Sequence, residues 1–393
     1  MTTYEATGTR TSLRTRAVHA GRDDLADLGL HAVPLDLSTT HPARDSRAEA
    51  AKLDLLCTGE QSAGPSVYAR VANPTVARFE SALAELEGCE AAVAFASGMA
   101  ALSACLLAGV SAGRPHVVAV RPLYGTSDHL IDSGLLGTEV TWTGPAGVAA
   151  ALRPDTGLVI VESPANPTLR ETDLRALALA CGPMPLLVDN TFATPVLQRP
   201  VEHGASVVLH SATKFLGGHG DTMGGVIACD EAYARTLRQL RFATGAVLHP
   251  LAGYLLLRGL STLPLRVRAS AASAALLADR LAGHPQVTRV HYPGRDPRRP
   301  AGQLETGGAL LSIEVSGDPH AVIGAVRLLT PAVSLGSVDS LIQHPASLTH
   351  GILDPVIRAE AGIRDDLLRI SVGLEDPEDL WSDLDQALRA SVR

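Results

Sequence analysis

Short, continuous apolar runs separated by helical patterns restrict this chain to very few folds. The runs are AAVAFAS, HVVAV, EVTW, LVIVES, PLLVDN and SVVLHS, rich in Val and Ile and too short to be helices. Between some of them lie TVARFESALAELEG, GMAALSACLLAG and DLRALALACG, with apolar residues at helical spacing; Gly88 ends the first of these. Strands that are apolar throughout, rather than at every second residue, are covered on both faces. Their alternation with helices therefore predicts an α/β fold with a mostly parallel sheet between helical layers.

The pattern changes after GGVIACD. Residues 231 to about 285 read as largely helical, and GALLSIEV, AVSLGS and LLRISVGLE then suggest a smaller sheet, closed by the helical DPEDLWSDLDQALRAS. With 393 residues, 46% of them hydrophobic, the chain can bury more than one core. The expected organisation is an arm over residues 1–60, a large α/β domain over 61–255 and a smaller C-terminal α/β domain over 256–393.

In such sheets ligands gather beyond the carboxyl ends of the strands. Those ends carry Ser97-Gly98-Met99, Tyr124, Asn166, Asp189 and Ser211-Ala212-Thr213-Lys214, nearly all polar or ionisable. Lys214 stands out. The sequence has 33 lysines and arginines together, of which only Lys52 and Lys214 are lysine. Arginine stays charged, whereas lysine can lose its proton and become a nucleophile, so a lysine kept at a strand end points to chemistry.

Composition removes other classes. A net charge of −8 with no basic block, and 3% aromatic residues, argue against nucleic acid as a partner. LAGYLLLRGL, interrupted by Arg258, is too short to span a membrane, and the first residues lack the apolar core of a signal peptide. A soluble, cytoplasmic protein is expected. The five cysteines form no C-x-x-C pair, and His210 and His219 flank Lys214 without a third ligand, so no metal is expected. G-x-G-x-x-G and G-x-S-x-G are absent from the turn after the first strand.

A deprotonatable lysine, a carboxylate on a neighbouring strand end and nearby hydroxyls suit pyridoxal 5'-phosphate. The lysine forms a Schiff base with the aldehyde, and an aspartate pairs with the ring nitrogen. Asp189 is placed for the second role. The turn that opens GMAALSACLLAG offers free N–H groups to the phosphate, with Ser211 and Thr213 as further donors. Tyr124 could stack on the ring and act as an acid.

Together HSATKFLGGHGD, VESPANPTL, LVDNTFATP, YARVANPT, FASGMAA and LLRISVGLE resemble the Cys/Met-metabolism family of pyridoxal-phosphate enzymes, in that family's order from about residue 17 onward. The resemblance implies an aspartate-aminotransferase-like fold of type I with a seven-stranded sheet. It implies Lys214 as the Schiff-base lysine, Asp189 at the ring nitrogen, Tyr124 on the ring and Asn166 near the ring oxygen. Ser97, Gly98, Met99, Ser211 and Thr213 would hold the phosphate, and Tyr68 and Arg70 would reach that of a neighbouring subunit. Arg369, helped by Ser334, would grip the substrate carboxylate. The active unit would be a homodimer with shared sites, paired into a homotetramer, acting on a small amino acid.

Within the family, TGAVLHP, AVSLGS and QHPASLTHG are similar to segments of methionine γ-lyases, and Val333 stands where cystathionine-processing members often carry glutamate. Thr126, where methionine γ-lyases place cysteine, lies in the substrate region. Arg241-Phe242 replaces a Lys-Asp pair, and the stretch RDPRRPAGQLET is short for the family. The expected reaction is γ-elimination of a sulfur amino acid, L-methionine first. Cystathionine γ-lyase, cystathionine γ-synthase and O-acetylhomoserine sulfhydrylase activities are the alternatives, and an inactive regulatory homologue is the non-enzyme one.

Overall fold

The computed structural model describes residues 11–61 and 66–391. Among the described residues, twelve strands form two sheets. The first contains β1 (Ala91–Phe95), β2 (His116–Val120), β3 (Glu139–Thr143), β4 (Thr156–Glu162), β5 (Leu186–Asp189), β6 (Val207–Ser211) and β7 (Gly225–Cys229). Its order is β1-β7-β6-β5-β4-β2-β3, and every pairing is parallel except the two made by β7. The second contains β8 (Val287–His291), β9 (Leu310–Val315), β10 (Thr330–Pro331), β11 (Leu341–Gln343) and β12 (Leu367–Ser371), in the order β10-β11-β12-β9-β8.

The apolar runs are the sheet's middle. Val93, Val118, Val159, Val188 and Val208 are wholly buried, each on a different strand. The helices are bounded by local signals. Ahead of α1 (Leu13–His19), Ser12 accepts from the Thr15 N–H; ahead of α2 (Ser46–Cys57), Asp45 accepts from Arg47 and Ala48. Asn73 caps α3 (Pro74–Glu87) through the N–H groups of Thr75 and Val76, with Pro74 in the first turn, where its missing N–H costs nothing. Gly88 then ends α3 at φ 79°, the left-handed conformation that glycine adopts freely. Ser97 caps α4 (Gly98–Ser111), and α5 (Gly125–Asp132) starts directly after Tyr124.

A 32-residue helix, Pro250–Leu281, runs from the first sheet's core to the second's: Leu256 and Leu260 pack in the former, Leu277 and Leu281 in the latter. It crosses the expected 255/256 boundary without a break. One element differs from expectation. AVSLGS does not form a strand: Ser334 has φ 93° and Gly336 φ 76°, so the chain turns there instead of extending. No helix among the described residues is long and apolar enough to cross a membrane.

Candidate active site

Adjacent parallel strands bring the polar ends of β4, β5 and β6 side by side, with Glu162 directly opposite Asp189 in the register. Lys214 follows β6 in a tight turn, where Gly218 N–H donates to the Lys214 carbonyl at 2.8 Å. Its Nζ donates to Ser334 Oγ at 2.6 Å. Burial, reinforced by the Arg369 guanidinium, pushes the Lys214 ammonium down to about 8. The turn that prevented AVSLGS from becoming a strand is what delivers Ser334. A Cβ on Gly336 would lie 2.6 Å from the Phe215 nitrogen, so only glycine allows this loop to press against the lysine turn.

Arg369, on β12, is 2% exposed. It donates from Nη1 to Asn166 Oδ1 at 2.8 Å and from Nη2 to the Ser334 carbonyl at 2.7 Å. In the amide orientation that satisfies both partners, the Gln343 oxygen also accepts from Nη2 at 2.7 Å. Asn166 is held in turn, its N–H donating to Glu162 Oε1 at 2.8 Å, while the Tyr124 N–H donates to Glu162 Oε2 at 2.8 Å. One carboxylate therefore clamps the segments that carry Tyr124 and Asn166. Burial first, and then the neighbouring charge of Asp189, raise the Glu162 carboxyl well above its usual range.

Asp189 Oδ1 accepts from the Thr191 N–H at 3.0 Å and the Thr191 hydroxyl at 2.6 Å. Burial raises its carboxyl, opposed by these two bonds and by His210. Thr191 Oγ1 also accepts from the Ser211 N–H at 2.9 Å, so Asp189 and Ser211 are braced by one hydroxyl. Ser97 Oγ accepts from the Ala100 N–H at 3.1 Å, which fixes the first turn of α4 next to Ser211. That junction is built from backbone. A Cβ on Gly225 would lie 2.1 Å from the Ser97 carbonyl, and one on Gly98 would lie 3.1 Å from the Ser211 Cβ. Thr213 Oγ1 exchanges hydrogen bonds with Gly224 across the same junction.

Other expected site residues fall around this centre. Tyr124 is 36% exposed, with its phenol within electrostatic reach of Arg369. Thr126 is half-buried two residues further on, and the next residue, Ser127, donates to Met99 Sδ at 3.7 Å, tying α5 to α4. Tyr68 and Arg70 do not join the group within one chain. Arg70 instead donates to the Phe242 carbonyl at 3.0 Å and lies over the Phe242 ring at 4.6 Å. Arg241 turns inward, away from any substrate region, and pairs with Glu80 Oε1 at 2.5 Å. His210 Nε2 meets Glu87 Oε1 at 2.5 Å in a wholly buried pair, and among the described residues no group of acidic, His and Cys side chains could hold a metal.

Sequence reasoning missed Glu162, Thr191 and Gln343. Glu162 ends an apolar run, as Asp189 does, and that placement was the available signal. Thr191 and Gln343 carried none.

These groups fit pyridoxal phosphate: an amine with a lowered proton affinity, a carboxylate braced at a strand end, and a helix N-terminus closely backed by glycine and serine. Residues 14–389 match the model of the Cys/Met metabolism PLP-dependent enzymes. The chain belongs to that family. Family membership makes it a pyridoxal-phosphate-dependent enzyme, in accord with its lysine and strand-end carboxylates. It is 70% identical to an L-methionine γ-lyase of Streptomyces avermitilis, over 96% of this chain and 89% of that one. Among solved structures it is similar to a cystathionine γ-lyase from Micromonospora echinospora, with a TM-score of 0.86 and 37% identity, covering 97% of this chain and 100% of that one. It is also similar to a cystathionine γ-synthase from Xanthomonas oryzae pv. oryzae in complex with cystathionine, with a TM-score of 0.88 and 35% identity over 98% and 99% of the two chains.

Proposed function

We propose that this enzyme cleaves the carbon–sulfur bond of L-methionine by γ-elimination, consuming one water and releasing methanethiol, 2-oxobutanoate and ammonia. The observation that carries the reading is Lys214 Nζ, pushed down to about 8 and 2.6 Å from Ser334 Oγ. Pyridoxal phosphate, when bound, supplies an electron sink that acidifies the substrate's carbon–hydrogen bonds. Everything else is the work of this chain's side chains.

Lys214 Nζ takes the substrate α-proton and moves a second proton at the β-carbon, work suited to an amine that titrates near neutrality. Ser334 Oγ holds that nitrogen in place between transfers. Arg369 offers a planar pair of donors to the substrate carboxylate, with Asn166 and the Ser334 carbonyl as the partners that orient it. The Tyr124 hydroxyl gives a proton to the departing sulfur, and Thr126 lies near that group. Asp189 would pair with the ring nitrogen, and Glu162 keeps Tyr124 and Asn166 in register. Ser97, Gly98, Met99, Ser211 and Thr213 would hold the phosphate.

Tyr68 and Arg70 complete the site of a second subunit, so the active unit is a homodimer. In support, Arg70 is exposed, and its contacts among the described residues are with Phe242 and with Tyr68 rather than with the residues around Lys214. Two such dimers pair into a tetramer, and the arm over residues 1–60 contacts a neighbouring subunit.

Methionine is preferred to cystathionine because Val333, beside Ser334, is an exposed apolar residue with no charge to meet the far ammonium and carboxylate of cystathionine. Thiol and keto-acid release from methionine, homocysteine, cystathionine, cysteine and O-acetylhomoserine tests the reading. Methionine should give the highest kcat/KM. A higher value with cystathionine, or turnover of O-acetylhomoserine only when a thiol is added, would overturn it.

A further inference from the structure

Away from the active site, a cavity of about 670 Å³ opens between the segment that follows Asn166 and the edge of the second sheet. That volume suits a small molecule. Six of the chain's arginines line it: Arg170, Arg289, Arg295, Arg298, Arg299 and Arg364. In a protein of net charge −8 such a concentration is unexpected. Three of them lie in the short stretch RDPRRPAGQLET, for which the reaction has no use.

The local charges do not cancel. Arg295 pairs with Asp279, Arg298 with Asp296 at 3.1 Å, and Arg364 with Asp366 at 2.9 Å and Glu314 at 3.5 Å. Arg170 and Arg289 have no carboxylate within ion-pair distance among the described residues; Arg170 donates only to the Arg121 carbonyl, at 3.3 Å. Glu171 adds a second, independent observation. Its side chain is 2% exposed and lines the cavity, yet neither carboxyl oxygen accepts a hydrogen bond. Only Arg299 comes near, its Nε 3.4 Å from Oε1. A buried carboxyl whose oxygens accept no hydrogen bond is costly, even with one guanidinium nearby, unless something is there to receive it.

We propose that this cavity is a binding site for a small dianionic oxyanion ligand, held by Arg170 and Arg289 and by a hydrogen bond donated from the Glu171 carboxyl. Guanidinium groups suit such ligands because each offers paired, charge-assisted donors. Burial, resisted by Arg299 and aided by Asp296, pushes the Glu171 carboxyl up to about 7. Glu171 is therefore largely a neutral donor at pH 6 and largely a repelling carboxylate at pH 8. His291 is pushed down by burial and bonds Glu314 at 2.8 Å, while the arginines keep their charge throughout. Arg170 follows Asn166 closely and holds the Arg121 carbonyl, so the ligand would sit against segments leading to Asn166 and Tyr124.

The test titrates cofactor-loaded enzyme with 1,2-ethanedisulfonate, whose two charges are constant between pH 6 and 8, at fixed ionic strength, by calorimetry. Binding should be tighter by about 3-fold or more at pH 6 than at pH 8. Glu171→Gln, which keeps a donor but cannot ionise, should bind equally at both. Arg170→Ala with Arg289→Ala should weaken binding about tenfold or more while methionine turnover without the ligand is kept. No binding by the folded, active enzyme would overturn the proposal. So would binding unchanged in the double arginine variant, or a pH dependence that survives Glu171→Gln.

Discussion

Lys214 illustrates how one side chain acquires chemistry from its surroundings. Its ordinary value of 10.5 falls to about 8 because burial disfavours the charged form and Arg369 repels it. The neutral amine is the form that attacks an aldehyde. Capture of pyridoxal phosphate by the apoenzyme should therefore accelerate about tenfold per pH unit up to about 8 and then level off. Arg369→Ala removes one of the two causes and should move the plateau to higher pH. Stopped-flow absorbance checks both, and a rate that climbs steadily to pH 10 in the unaltered enzyme would contradict the account. Lys214 and Asp189 were legible because a rare lysine and a strand-end carboxylate are visible in the sequence itself. Glu162 was not. It shares the strand-end placement of Asp189, but its role is to accept two backbone N–H groups, from Tyr124 and Asn166, and those partners are not visible in the sequence.

At the scale of elements, the apolar runs gave the strands and Gly88 gave the end of α3, because both signals depend on neighbours in sequence. The loop 332–337 was misread for the opposite reason. AVSLGS alternates like a strand, but its packing against the lysine turn imposes positive φ at Ser334 and Gly336. That constraint comes from residues more than a hundred positions away. The junction of β7 with the start of α4 is equally non-local, since the two backbones touch through Gly225 and Ser97. Gly225→Ala should force them apart, destabilising the protein by about 1–3 kcal/mol and weakening cofactor retention. Urea unfolding of the apoenzyme and equilibrium dialysis of the cofactor measure the two effects separately. A variant as stable and as well loaded as the parent would show that this close approach is not needed.

For the whole molecule, the sequence indicated two sheets and a site beyond the carboxyl ends of the first sheet's strands, whereas the assembly is not encoded in one chain's contacts. Arg70 stands against Phe242 and Tyr68 rather than in the hydrogen-bonded group around Lys214. If Tyr68 and Arg70 serve a second subunit, an inactive Arg70→Ala chain mixed with an inactive Lys214→Ala chain should regain part of the activity, because one site of each mixed dimer keeps both residues. No recovery after demonstrated subunit exchange would argue against shared sites. The central claim is that Lys214 carries both cofactor attachment and turnover, and Lys214→Arg tests it most directly, since it keeps the charge but cannot attack the aldehyde. The unaltered enzyme should absorb visible light after gel filtration and release methanethiol and 2-oxobutanoate from L-methionine in equal amounts, and the folded variant should do neither. A variant that retains the absorbance and the methanethiol release would contradict the account.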